Sequence, residues 1–232
     1  DGTLLLSRTG GGVSIPGDLT VGDGIGGNDS AIVRLTQPNQ IADTSAVSMN
    51  ADGLLNLDGN PETIASLTSL DNGTEVALGA ATGILTVSSG DFGGVISGSG
   101  DLIKETAGTL ILSGTNTYTG STSVNGGTLT VNGSIATSSG VGVASGATLT
   151  GSGTTSSVTV AVGGTVNPGD TVGTLSTDSV TFVAGSTFTV DLVLPTVGNF
   201  DTLDVTGSVD LSNVTLDLQA IAGFGAAAGD CQ

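Results

Sequence analysis

The sequence predicts an all-β fold in which short parallel strands stack into a solenoid. Apolar residues alternate with threonine or aspartate at a period of two, which is typical of strands with one buried face. A short phrase of glycine followed by threonine and leucine or valine recurs about every 20 residues, which is typical of stacked repeat units. In addition, 40 glycines among 232 residues interrupt every stretch in which a long helix could form.

The alternation predicts individual strands. Their apolar side chains are expected to point inward, while threonine suits the outer positions because its branched carbon favours extended backbone and its hydroxyl can stay in water. In the predicted strand at 128–131, Leu129 is expected to be buried and Thr130 to face solvent. The clearest segments are residues 128–131, 158–160, 180–182, 188–192 and 214–218.

The spacing of the recurring phrase predicts coils rather than a sandwich. Its apolar residue falls at Leu110, Leu129, Leu149 and Val166, which gives a period close to twenty residues. If each period is one coil, strands of successive coils pair in parallel about 4.8 Å apart and inward side chains form ladders. The whole chain then makes about eleven coils and a rod on the order of 50 Å long.

The bends between strands are expected at glycine-containing pairs. Asn72-Gly73, Asn125-Gly126 and Asn132-Gly133 are expected to be corners with positive φ, which these residue types adopt at low cost. Pro38 and Pro61 are expected in turns, because a proline within a central strand would remove a ladder donor. Residues 1–82 are therefore expected to form less regular coils with longer loops.

Residues 108–133 read GTLILSGTNTYTGSTSVNGGTLTVNG, and residues 163–192 read GGTVNPGDTVGTLSTDSVTFVAGSTFTVDL. The first stretch resembles the beta-strand repeat associated with autotransporter passenger domains, and the second is similar to the end of such passengers. The resemblance implies a right-handed parallel β-helix exported to the bacterial surface. We expect one β-helical domain over 1–232, with regular coils over 83–218 and a tail or end contact at 219–232. In a departure from such passengers, no membrane barrel is expected after residue 218.

Charge and cysteine content limit the partners. There are 21 acidic residues against three basic ones, giving a net charge of −18, so nucleic acid and anionic membranes are poor partners. The high negative charge favours solubility, and the alternative interpretation is that the acidic residues bind divalent cations. The stretch GDGIGGND at 22–29 resembles one turn of a calcium β-roll, with Asp23 and Asp29 as donors, or is a plain acidic turn. Cys231 lacks an internal partner, which leaves a free thiol or a link between chains.

The inventory of catalytic residues is small. The chain has no histidine, which excludes a Ser-His-Asp triad, and a Ser-Lys pair would have to use Lys104 at what the sequence predicts to be an exposed strand end. A polysaccharide-cleaving site would draw on Asp191, Asp201 and Asp204, with Tyr118 as its sugar-stacking platform. We expect no catalytic, cofactor-binding or metal-binding residues and no cofactor.

These observations favour a non-enzymatic extracellular protein of a bacterial surface, either adhesive or structural. A terminal coil exposes unpaired backbone groups and a slice of core, so copies are expected to join through their ends into a filament or surface layer. The partners are then the chain itself, or the surface matrix and its glycans, without membrane insertion. The alternatives are a polysaccharide-binding or polysaccharide-degrading β-helix protein and a calcium-binding surface module.

Overall fold

The structure is a computed structural model that describes residues 2–69, 71–193 and 200–221. Most of the predicted tail, including Cys231, lies outside the described residues. Within them the secondary structure is entirely strands and turns. In chain order the strands are β1 (Gly2–Leu6), β2 (Leu19–Val21), β3 (Ala31–Leu35), β4 (Ala46–Met49), β5 (Gly53–Asn56), β6 (Glu62–Ser69), β7 (Glu75–Ala77), β8 (Ile84–Phe92), β9 (Val95–Ser97), β10 (Asp101–Lys104), β11 (Thr109–Leu112), β12 (Thr122–Val124), β13 (Gly127–Val131), β14 (Ser134–Ile135), β15 (Val141–Val143), β16 (Ala147–Gly151), β17 (Thr154–Thr155), β18 (Val158–Val160), β19 (Thr165–Pro168), β20 (Thr174–Thr177), β21 (Val180–Phe182), β22 (Thr187–Leu192), β23 (Thr202–Val205), β24 (Val209–Asp210) and β25 (Thr215–Ala220).

All paired strands in these ladders run parallel, and each coil visits three ladders in turn. The first ladder contains β1, β3, β5, β7 and β9 and, further along, β14, β17, β20 and β23. The second contains β6, β8, β10, β12, β15, β18, β21 and β24. The third contains β2, β4, β6, β8, β11, β13, β16, β19, β22 and β25. The long strands β6 and β8 belong to both the second and the third ladder. Because successive coils add parallel strands to the same ladders, the fold is a parallel β-solenoid.

The third ladder confirms the predicted register. Leu110, Leu129, Leu149 and Val166 are aligned partners in successive coils, as the spacing of the repeated phrase predicts. The ladder has ten rungs, fewer than the eleven coils expected, because loops before β4 and before β25 lengthen the intervals at both ends. Its rungs are Leu19, Val47, Leu67, Gly90, Leu110, Leu129, Leu149, Val166, Phe188 and Leu216.

The core is a continuous stack of inward side chains that extends from Leu6 to Phe182. Leu129 is completely buried, as the alternation predicts. Thr130 is also buried, with 2% of its surface exposed, so the expectation that it faces solvent is wrong. An outward position near a strand end is therefore not automatically an exposed one.

Stacked glycines form the corner that leads from the third ladder into the first. A Cβ at Gly133 would collide with the carbonyl oxygen of Gly114, and a Cβ at Gly153 would collide with that of Gly133. Close approach of successive coils therefore requires glycine here. The predicted positive φ at Asn132-Gly133 and Asn125-Gly126 is wrong, since the left-handed residue in this region is Gly127, with φ 62°.

Candidate functional site

The three aspartates that a polysaccharide-cleaving site would use do not form an open pair. Asp201 is buried, and its carboxylate accepts hydrogen bonds from the backbone N–H groups of Asp191 and Gly173, both at 2.9 Å. Burial, and then the charge of Asp191, raise the pKa of Asp201. Asp204 is exposed on the outer side of β23. The Asp201 carboxylate thus holds a corner of the backbone together.

The aromatic platform expected at Tyr118 is absent from the surface. Tyr118 is fully buried, and its hydroxyl lies 2.6 Å from Thr122 Oγ1. Burial raises the pKa of Tyr118. Phe182 and Phe188 point inward as the alternation predicts, with ring centroids 5.9 Å apart. Among the described residues, these rings therefore offer a sugar no flat exposed surface.

Lys104 is buried rather than exposed, so the prediction of an exposed strand end is wrong. It occupies an inward position between Val87 and Val124 of the adjacent coils. Its Nζ donates hydrogen bonds to the carbonyl oxygens of Glu105, Thr106 and Gly126 at 3.0, 2.9 and 2.9 Å. Burial lowers the pKa of Lys104. Three backbone acceptors use all three ammonium protons, which makes this lysine a clamp between two coils and not the partner of a catalytic serine.

The two candidate calcium donors, Asp23 and Asp29, have different roles and surroundings within their loop. Asp23 Oδ1 accepts a hydrogen bond from the backbone N–H of Ile25 at 2.9 Å, which is a local turn. Asp29 has φ 59°, and burial followed by the charge of Glu75 raises its pKa. Within residues 2–69, 71–193 and 200–221, no group of three His, Cys, Asp or Glu residues could hold a metal ion. Asp23 is therefore engaged in a local turn of this loop.

A buried polar cluster was not predicted from the sequence. Glu62 and Gln40 are polar residues, yet each is only 1% exposed. Glu62 Oε2 accepts the backbone N–H groups of Gln40 and Ile41 at 2.6 and 3.2 Å. The signal that could have revealed the cluster is Pro61, because the proline directly before Glu62 marks an interrupted ladder.

A shallow depression lies on the outer side of the second ladder, where Gly142 replaces a side chain. Its volume is about 400 Å³. The hydroxyls around it could donate and accept hydrogen bonds, as glycan contacts require, but no aromatic ring lines it. The lining residues include Ser121, Ser123, Ser139, Ser157 and Thr159.

The two ends of the described solenoid expose apolar core. At the amino end, an open pocket of about 480 Å³ is lined by Leu4, Leu19 and Val33 among others. At the carboxyl end, Leu216 and Leu218 are 57% and 58% exposed although they occupy inward positions. Among the described residues, both ends therefore carry exposed leucine side chains at inward positions, Leu4 at the amino end and Leu216 and Leu218 at the carboxyl end.

Comparisons with known proteins agree with the fold. Residues 102–131, from β10 to β13, match a family model described as Passenger-associated-transport-repeat, a repeat of autotransporter passenger domains. No curated protein sequence matches the chain. None of the described residues forms a helix long and apolar enough to cross a membrane. The repeat and the β-solenoid together fit an autotransporter passenger domain.

Proposed function

We propose that the chain is a non-enzymatic rod of the bacterial surface that extends by stacking end to end. The passenger repeat at 102–131 supports an exported protein. Asp201 and Lys104, two of the residues considered for catalysis, are occupied by backbone hydrogen bonds, which favours a structural role over an enzymatic one. The observation that carries the proposal is the exposure of inward apolar residues at both ends of the described solenoid.

The two ends have complementary patterns. In the third ladder, β25 ends with the inward residues Leu216 and Leu218, and β2 begins with Leu19 and Val21. If β2 of a second copy takes the next rung, the half-buried Leu19 covers Leu216, and Val21, which is already buried within its own copy, lies beside Leu218. The first ladder continues in the same way, because β23 offers inward Leu203. Each rung gained would bury apolar surface and pair the free strand edge.

Charge opposes this assembly. The chain carries a net charge of −18, and carboxylates about 5 Å apart repel by about 0.8 kcal/mol per pair even at the dielectric constant of water. That separation lies inside the Debye length of about 8 Å, so physiological salt screens the repulsion only partly. Acidification toward about pH 4 protonates carboxylates, and divalent cations neutralise them. Both conditions are therefore expected to favour longer assemblies.

Replacing Leu218 with aspartate tests the end contact. We expect Leu218→Asp to reduce the light scattering of concentrated protein at least tenfold at about pH 5, because it places a charge where the next coil would pack. The matched control is Val162→Asp. Val162 is 59% exposed, close to the 58% of Leu218, but it lies in the turn before β19 on the side of the rod. Val162→Asp is expected to scatter as the wild type does.

Equal effects of the two substitutions would contradict the end contact, since only one of them touches an end. Negative-stain microscopy of the same samples should show filaments of uniform width for wild type and Val162→Asp. A wild-type protein that stays monomeric at every pH and with millimolar calcium would leave an isolated stalk as the function.

A further inference from the structure

Between the second and third coils, the Asn39 N–H bonds to the Pro61 carbonyl at 3.1 Å, and the next two N–H groups bond to a side chain instead of to backbone. Ile41 pairs with Ile15 of the preceding coil through an isolated parallel bridge. On its other side, where a carbonyl of the next coil would normally accept, the N–H groups of Gln40 and Ile41 bond to Glu62 Oε2. Pro61 directly precedes Glu62. The carboxyl thus replaces the missing backbone acceptor.

Gln40 extends the connection to the first coil. Its Oε1 accepts the N–H of Arg8 at 2.8 Å and the hydroxyl of Ser14 at 2.6 Å. Its Nε2 donates to the carbonyl oxygens of Arg8 and Pro38 at 3.0 and 3.1 Å. Every polar group of this amide is used, so coils one, two and three are joined through two buried side chains.

The surroundings of Glu62 disfavour its charge. It is aligned with Leu85 of the next coil, which is fully buried. The charged group that acts on it is Asp43, whose carboxylate adds repulsion. Arg8 contacts the Gln40 side chain through its backbone N–H. The Arg8 guanidinium donates instead to the carbonyl oxygen of Val13. The carboxyl is therefore buried with uncharged partners, which are the backbone N–H groups of Gln40, Ile41 and, at 3.2 Å, Thr63, and none of the described residues forms a salt bridge with it.

We propose that Glu62 is a proton-operated clasp: its neutral carboxyl holds the three amino-terminal coils together, and its ionisation loosens them. A neutral carboxyl can still accept both N–H groups through its carbonyl oxygen. Ionisation leaves the same bonds but adds a buried charge, which opening of the coil would return to water. The amino-terminal part of the rod is then firm in mild acid and more readily opened above neutral pH.

The direction of the pH dependence follows from the pKa values in the two states. Burial raises the pKa of Glu62 from 4.5 to about 7, against the opposing effect of its backbone hydrogen bonds. Between these values the closed coils keep a proton that the opened coils release, so opening becomes easier as the pH rises through this window and then levels off.

Hydrogen exchange at the Gln40 and Ile41 amides tests the clasp. Protection factors, corrected for the intrinsic exchange rate, are compared at about pH 5.5 and about pH 8.5, on either side of the pKa of about 7. We expect protection in the wild type to fall about 30-fold between these conditions. In Glu62→Gln it should not change, because glutamine keeps the acceptor and does not titrate in this range.

The matched control is Glu105→Gln, which changes a glutamate bonded to the exposed side chain of Asn125 and should keep the wild-type fall. Constant protection in the wild type, or the full fall in Glu62→Gln, would overturn the proposal. If Glu62→Gln does not fold, carbon-13 titration of the wild-type glutamate carboxyls decides. One midpoint near 7 that moves down in Asp43→Asn supports the clasp, and midpoints all in the ordinary range overturn it.

Discussion

Replacing Leu129 with aspartate is expected to lower the free energy of unfolding by about 4 kcal/mol or more. Leu129 is completely buried, with Leu110 on the rung before it and Leu149 on the rung after it. The substitution removes the leucine packing and places a carboxylate where no partner can hydrogen-bond it in that stack of leucines. Denaturant unfolding followed by circular dichroism measures the change.

The matched control for this substitution is Thr109→Asp. Thr109 faces outward on β11 in the same ladder and is exposed, so its replacement is expected to change stability by less than about 0.5 kcal/mol. Thr130 would be a poor control, because it is only 2% exposed. If Leu129→Asp and Thr109→Asp had equal effects, the assignment of inward and outward positions would be wrong.

Replacing Gly90 with alanine is expected to lower the free energy of unfolding by roughly 2 to 5 kcal/mol, through backbone strain and overpacking together. Gly90 occupies a rung of the third ladder between Leu67 and Leu110, and its φ is 140°. A Cβ there would collide with the carbonyl oxygen of Leu67. That oxygen belongs to the neighbouring coil, so relief requires the coils to separate locally.

Gly142→Ala is the control for this prediction. Gly142 faces outward on β15, and a Cβ there would meet no atom within 4 Å. Its replacement is expected to be neutral or to stabilise by up to about 1 kcal/mol, because alanine restricts the unfolded chain. Thermal unfolding of both variants is sufficient, and a Gly90→Ala variant as stable as the wild type would contradict the close stacking at this rung.

The sequence predicted the ladders because inward residues repeat both locally and at the coil period. Leu129 alternates with its neighbours along β13, and Leu110 and Leu149 carry the same residue type one coil away. The alternation along the strand and the repeat between coils therefore both assign Leu129 to the inward face. The coil number was overestimated because the loops that lengthen the first and last coils leave no periodic signal.

The polar interior could not be predicted in the same way. Lys104 and Glu62 are charged residue types that are ordinarily exposed, and each is buried here because a neighbouring coil supplies its partners. The partners in the neighbouring coil, Gly126 and Gln40, lie 22 residues away in sequence, and the sequence signal is confined to Pro61 directly before Glu62. The prediction of positive φ at the Asn-Gly pairs was wrong for a related reason. Glycine is needed at position 133 because the Gly114 carbonyl of the neighbouring coil approaches it closely, and not because its φ is positive.

Small-angle X-ray scattering tests most directly whether the rod extends through its ends. Wild type, Leu218→Asp and Val162→Asp are measured from about pH 8 to about pH 5, where carboxylates begin to take up protons while an ordinary aspartate keeps most of its charge. We expect a rod on the order of 45 Å long per subunit, from ten rungs about 4.8 Å apart, whose length grows in subunit steps at constant cross-section. Growth should be lost only in Leu218→Asp. An increase in cross-section, or equal growth in all three proteins, would contradict end-to-end stacking.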